Sequence, residues 1–252
     1  MEKTQLSKDV KKGERIAKVM ARAGLCSRRE AERWIEQGRV TVNDKKIETP
    51  ATIIGDDDKV VVDGKALPNK ERTRLFIYHK PAGLVTSNKD EQGRATIFDK
   101  IPKELPRLMT VGRLDINTEG LLLLTNDGEL ARYLELPATA LTRTYRVRAH
   151  GRTSQEKLDG LKKGVVHNKI RYKGIMAKLE KQQGDNAWVE ISLQEGKNRE
   201  VRNVMEAIDL NVNRLIRISY GSFHLGSLPK GAVLEVKPKA LKDQLAPFFK
   251  NK

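Results

Sequence analysis

Asp115 is the residue whose setting most suggests chemistry. It lies in Val111-Gly112-Arg113-Leu114-Asp115-Ile116-Asn117-Thr118-Glu119-Gly120, ahead of the apolar run Leu121 to Leu124. An apolar strand ends at Gly112, the chain turns through Arg113 and Asp115, and a second apolar strand follows Gly120. Such a turn sets a carboxylate at a strand end, next to a permanent cation and between glycines that free the backbone. Aspartate in a turn more often caps its own backbone, so these residues alone leave a reactive and a structural reading open. Rival chemistries find little support. No G-x-G-x-x-G and no G-x-x-x-x-G-K-[ST] occurs, which removes the usual dinucleotide and phosphate-loop sites. His79, His150, His167 and His224 have no metal-ligand spacing, and Ser222 lacks the second glycine of a nucleophile elbow. A single cysteine, Cys26, excludes an internal disulfide framework and a Cys-clustered zinc site.

The 252 residues carry 49 Lys plus Arg against 33 Asp plus Glu, a net charge of +16. Residues 1–70 hold 16 basic and 12 acidic side chains, so residues 71–252 hold 33 and 21. Both parts are basic, and the charge is not one detachable tail. Charge of this sign speaks to partners. A membrane-surface reading would want a long basic amphipathic helix, and none is present, so nucleic acid leads. No run approaches the ~18 apolar residues of a membrane span, and Met1 to Lys12 is polar, without the apolar stretch of a secretory signal. A cytoplasmic chain with an ordinary core is expected.

The elements that must position these residues fall into two groups. From Glu14, the spacing of Ile16, Val19, Met20 and Ala23 predicts one helix, ended by Gly24. Ser27 with Glu30 forms a capping-box pattern for a second helix, which turns Ala31, Trp34 and Ile35 inward and stops at Gly38. Val40 to Val42, a turn at Asn43-Asp44, and Lys59 to Val62 closed by Asp63-Gly64 read as short strands and hairpins. An αα-hairpin exposing Arg28, Arg29, Arg33 and, just beyond, Arg39 suits contact with phosphate backbones. The order and wording of residues 15–43 closely resemble the S4 RNA-binding domain, over about 50 residues. That resemblance implies an RNA-docking module in which Arg15, Arg28, Arg29, Arg33 and Arg39 meet RNA and Cys26 packs.

Residues 13–70 thus form one expected unit, residues 66–73 a polar linker, and residues 74–245 a second unit. Expected strands there are Leu75 to Tyr78, Leu108 to Val111, Leu121 to Thr125, Tyr145 to Ala149, Ala187 to Leu193, Leu215 to Tyr220 and Val233 to Val236. Helices are expected at 127–134, 154–163 and 198–208. Mixed elements without regular βαβ alternation predict an α+β fold with a largely antiparallel sheet.

The G-R-L-D and T-x-G-L-L-L-x-T wording around Asp115 resembles the catalytic motif of RNA pseudouridine synthases, in the RsuA/RluB branch that carries an N-terminal S4 domain. His79-Lys80-Pro81-Ala82-Gly83, Arg143-Thr144-Tyr145 and residues 194–202 resemble three further segments of that family, in order. The resemblance implies that Asp115 is the nucleophile and that Arg202 keeps it ionised, a task for which a guanidinium suits because it stays charged and forks onto carboxylate. It implies that Tyr145 stacks on a flipped base, that Val201 lies on the base's other face, and that Arg113 fills the vacated space. Lys197 and Arg199 belong to the same motif and are expected at the substrate. The role of Lys80, in the site or in strand packing, is left open. No cofactor or metal is implied. Residues 198–202 and 214–221 look closer to the RluB wording, which implies action on 23S rRNA or a large-subunit precursor; a monomer is expected. The same chemistry on 16S rRNA, or a non-catalytic S4-type assembly factor, are the alternatives.

Overall fold

The computed structural model describes residues 13–69 and 71–250; the polar stretch 1–12 lies outside the described residues. The chain divides into two compact units, with the boundary between Arg72 and Thr73.

In the first unit, helices Ile16–Arg22 and Arg28–Glu36 form the αα-hairpin. Ser27 accepts the Glu30 amide and Glu30 accepts the Ser27 amide, the reciprocal cap that its spacing suggests. Glu14 and Arg15 do not join the first helix. They pair as a short strand with Ile53–Ile54. Val40–Val42 and Val60–Val62 pair antiparallel, and each continues into a tight hairpin, at Asn43-Asp44 and Asp63-Gly64, with all four turn residues at positive φ. Ile16, Met20, Ala31, Ile35, Val40 and Cys26 make the core, while Trp34 is only partly buried. The segment expected to be a linker is more engaged than its composition suggests. Ala66 sits in a strand against Val61, Leu67 packs on this core, and Thr73 donates to Asp127 at 2.6 Å.

The second unit is built on a mixed sheet in the order Met176–Gln183, Asn186–Leu193, Arg143–His150, Asn211–Tyr220, Thr118–Thr125, Leu75–Lys80, Val233–Glu235. Every pairing along it is antiparallel except one, in which Leu215, Ile216 and Arg217 run parallel to Thr118, Glu119 and Gly120. The fold is α+β, as expected. All eight residues of Thr118–Thr125 are buried, which agrees with the apolar run Leu121 to Leu124 at its centre. Gly120, at φ +103°, sits so close to Arg217 that a Cβ would run into the Arg217 carbonyl oxygen and backbone nitrogen. One core packs helices Gln155–Asp159 and Glu200–Glu206 under the Met176-to-Arg143 half of the sheet. Two others, around Leu121, Leu123 and Leu130 and around Phe76, Tyr78 and Leu114, lie on the Leu75 half.

Candidate active site

The loop carrying Asp115 joins Met109–Val111 to Thr118–Thr125 and is held from several sides. Lys80, fully buried at the end of its strand, donates from Nζ to the carbonyl oxygens of Pro81, Asp115, Ile116 and Thr118 at 3.0–3.2 Å. Burial pushes the Lys80 ammonium down to about 8, with Asp115 and Glu119 pulling the other way. The Gly83 amide donates to the Ile116 carbonyl at 2.7 Å, and Thr86 Oγ1 donates to the Leu114 carbonyl at 2.8 Å. Glu135 accepts the Gly112 amide at 2.6 Å. The Lys80-Pro81-Ala82-Gly83 segment therefore holds the loop by its main chain.

Asp115 itself is half-buried and lines a cleft of about 760 Å³, within the roughly 300–1,000 Å³ range of ligand sites. Arg113, Tyr145, Lys197, Arg199 and Val201 line the same cleft. Tyr145 stands opposite Ile191 on one side and Arg217 on the other, and its ring packs against two of the cores. Between Thr144 and Tyr145 the facing strand carries one extra residue, Ile218, a bulge that re-aims side chains at the site. Val201 is buried in the first turn of Glu200–Glu206. Arg199 caps that helix with φ 51° and is exposed, as is Arg113. Lys197 is engaged. Its ammonium pairs with Glu195 at 3.1 Å and lies 5.6 Å from the Tyr172 ring centroid, while its amide donates to buried Glu200 at 2.8 Å. Burial raises the Glu200 carboxyl.

Arg202 departs from expectation. It is not among the residues lining the cleft, and it makes no ion-pair contact with Asp115; Nη1 donates instead to the Val212 carbonyl at 2.9 Å. Burial lowers its pKa and Arg199 adds repulsion, while Asp115 pulls it back up. Proximity in charge is retained without a fork.

The residue that sequence reasoning missed is Arg217. It lines the cleft at 2% exposure, with Nε on the Leu121 carbonyl at 2.7 Å. Its signal was a parity one: Leu215, Arg217 and Ser219 share the buried face of an alternating strand. Nearby Glu119 is buried under Arg214, which forks onto it at 2.7 and 3.1 Å, and Lys230 at 2.6 Å. Arg214 chiefly, then Lys230, holds its carboxyl at about 2 against the opposing effect of burial.

In the first unit Arg15, Arg28, Arg29 and Arg33 are exposed. Arg15 and Arg28 border a hollow that also carries Glu14, Glu32 and Glu36. Arg39 differs from the free cation expected. It forks onto Asp63 and lies 4.6 Å from the Trp34 ring centroid. No described group of three or more His, Cys, Asp or Glu side chains could hold a metal, and no described helix is long and apolar enough to cross a membrane.

A clamped acid beside an aromatic and an aliphatic wall, on this sheet, agrees with the comparisons. Residues 74–207 match the RNA pseudouridylate synthase family and residues 14–65 the S4 domain. A Rickettsia felis protein described as an uncharacterized RNA pseudouridine synthase is 45% identical over 228 residues, 90% of this chain and 99% of that one. The ribosomal large subunit pseudouridine synthase B of Yersinia pestis is 40% identical over 242 residues, covering 90% of this chain and 74% of the relative. A solved pseudouridylate synthase superposes with a TM-score of 0.63 at 26% identity, covering 92% of this chain and 99% of that structure. This chain belongs to the RNA pseudouridine synthase family. It is an isomerase with an N-terminal S4 domain, of the RsuA/RluB type.

Proposed function

We propose that this enzyme converts one uridine of large-subunit 23S rRNA to pseudouridine, with Asp115 as nucleophile. The observation that carries the reading is Asp115 on a loop ligated by buried Lys80, in one cleft with Tyr145 and Val201. The target nucleotide leaves its stack, which costs a few kcal/mol. Tyr145 and Val201 take the two faces of the base, and Arg113 occupies the gap. Asp115 attacks ribose C1′ as the bond from C1′ to base N1 breaks, and the uracil turns and re-attaches to C1′ through C5, displacing the Asp115 carboxylate. The C5 proton leaves and N1 gains one, so atoms balance without hydride, phosphate or a cofactor. Tyr145, which lines the same cleft, assists that proton. Arg202 stabilises the carboxylate through space rather than through a fork, and Lys197 and Arg199 offer cations at the cleft rim. Arg15, Arg28, Arg29 and Arg33 of the S4 unit dock the surrounding RNA through phosphates.

The large-subunit assignment rests on the Yersinia pestis relative and on similar ones from Buchnera aphidicola and Haemophilus influenzae, each named ribosomal large subunit pseudouridine synthase B. The test is to express wild type and Asp115→Asn in a strain lacking its own enzyme and to map pseudouridine across both rRNAs. One new site in 23S rRNA, absent with Asp115→Asn, is expected. Modification surviving in the Asn variant would remove the nucleophile, and a site in 16S rRNA would overturn the substrate.

A further inference from the structure

Arg217 is a buried cation that the fold leaves unneutralised. Its Nε has the Leu121 carbonyl, but Nη2 is sealed from solvent with no acceptor. Among the described residues no carboxylate lies within ion-pair reach of it. Three other arginines of the sheet are treated differently. Arg74 forks onto Glu235, Arg214 forks onto Glu119, and Arg143 donates to the Gln194 and Glu195 carbonyls and to the Tyr220 hydroxyl. Buried guanidinium groups are ordinarily satisfied, because desolvating an unpaired charge is expensive. A partner missing from the chain can be supplied by a ligand.

The ligand's chemistry follows from the surroundings. The Arg217 and Arg143 guanidinium carbons lie 5.2 and 4.7 Å from the centroid of the Tyr220 ring. Both arginines and Tyr220 line the cleft that contains Asp115. Two cations held against one ring concentrate positive charge on this wall of the cleft, which favours an anion there. The cleft's own acids do not fill it. Glu135 is taken by the Gly112 amide and Glu195 by Lys197, while Glu200 accepts the Lys197 amide at Oε2 and, though its Oε1 is unpartnered, forms no ion pair with Arg143 or Arg217. Asp115 is tied by its main chain to Lys80 and does not reach Arg217 as an ion pair. The anion must therefore arrive with the substrate, and a nucleotide brings phosphate, which a guanidinium binds by paired hydrogen bonds.

We propose that Arg217 receives a non-bridging oxygen of a phosphate flanking the target uridine and so holds that nucleotide's ribose over Asp115. This inference rests on the pseudouridine synthase reading. Tyr220, whose hydroxyl donates to the Leu134 carbonyl at 2.9 Å, is the fixed platform beneath the contact.

The test uses the full chain and an RNA hairpin containing its mapped uridine, with a neutral methylphosphonate placed in turn at the linkage on each side of that nucleotide. Single-turnover rates are measured for wild type, Arg217→Lys and Arg217→Met. One of the two substitutions is expected to slow wild type by about 10- to 150-fold, the range for a charge-assisted hydrogen bond. Arg217→Met should be slowed by a comparable factor on native RNA and be indifferent to that same substitution, with Arg217→Lys intermediate. Equal sensitivity in all three proteins would overturn the inference, as would a normal rate for Arg217→Met on native RNA. If the Met variant does not fold, the Lys variant decides, since undiminished sensitivity there has the same force. Wild type forming no pseudouridine in native RNA would instead overturn the functional reading.

Discussion

Lys80 Nζ donates to the main-chain carbonyl of Asp115 at 3.2 Å, and not to its carboxylate. The ammonium therefore fixes where the acid is presented without neutralising it directly. With three more carbonyls around it, Lys80 is a hydrogen-bonding hub for the loop's main chain. Lys80→Met keeps the apolar stem and removes every donor. It is expected to lower the single-turnover rate by about 100-fold or more, in keeping with the cost of a small misplacement at a reacting centre. RNA affinity should change little. A normal rate with weakened binding would show that the clamp serves substrate docking instead.

Lys80 also sets a pH dependence. Below about 8 the clamp has three N–H donors, and above it two, for four carbonyls. The rate should decline as pH rises through that value, and Lys80→Met should lack the step. Stability moves the other way. The unfolded lysine titrates near 10.5, so between about 8 and 10.5 the unfolded chain binds more protons and this residue's contribution favours the fold as pH rises. A rate loss accompanied by a falling melting temperature would assign the step to another group.

Much of the fold was legible in the sequence because its strands and caps are locally specified. Thr118–Thr125 and Leu75–Lys80 are almost wholly buried and read as apolar runs, and Ser27 with Glu30 announced its helix. Met176–Gln183 was not legible. It is an edge strand in which Ala177 is buried and Leu179 partly so, leaving a polar string with too weak an alternation to register. The Val165–His167 and Ile170–Tyr172 hairpin and the closing helices Pro238–Gln244 and Ala246–Lys250 were missed for the same want of a clear stripe. Within the site, the Asp115 motif pointed to the cleft, yet nothing local marks a strand lysine as enclosed by four carbonyls. Arg217 is hidden similarly, because its meaning lies in what surrounds it.

Glu119 lies under two cations, and its folded carboxyl is held at about 2, below the ordinary 4.5. Its stabilising contribution is present above pH 4.5 and is lost as pH falls toward 2. Glu119→Gln leaves Arg214 and Lys230, both substantially exposed, to solvent, and is expected to destabilise the second unit by about 1–2 kcal/mol, between the values for a surface and a buried pair. Urea unfolding at pH 7 and pH 3 should show the gap between wild type and variant narrowing in acid. A constant gap would assign the loss to packing.

Gly120→Ala should damage both stability and activity. The φ of +103° and the approach of the Arg217 main chain leave no room for a methyl group, at a cost of at least about 1–3 kcal/mol of strain. Thermal melts and pseudouridine assays report the two effects. A variant with wild-type melting behaviour would mean that the two strands can separate here without penalty.

In the S4 unit the arginines divide by environment. Replacing Arg28, Arg29 and Arg33 with alanine should weaken RNA binding and flatten its salt dependence by roughly 0.7–0.9 log units per lost phosphate contact. Arg39→Ala breaks the fork to Asp63 and the contact with Trp34, and should show in stability before it shows in the salt slope. Titrations at several salt concentrations distinguish the two groups.

The sheet's parallel ladder is three residue pairs long, whereas Arg143–His150 meets Asn211–Tyr220 over eight. Asp115 comes from one side of that short seam, and Tyr145 and Val201 from the other, and the Tyr145 ring bridges it by packing on a core of each side. The proposed nucleophile and the surfaces proposed to grip the base thus stand on opposite sides of a weakly laddered seam, with one ring shared between them. Substrate bound at that ring would therefore brace the join between the two sides as well as fill the cleft.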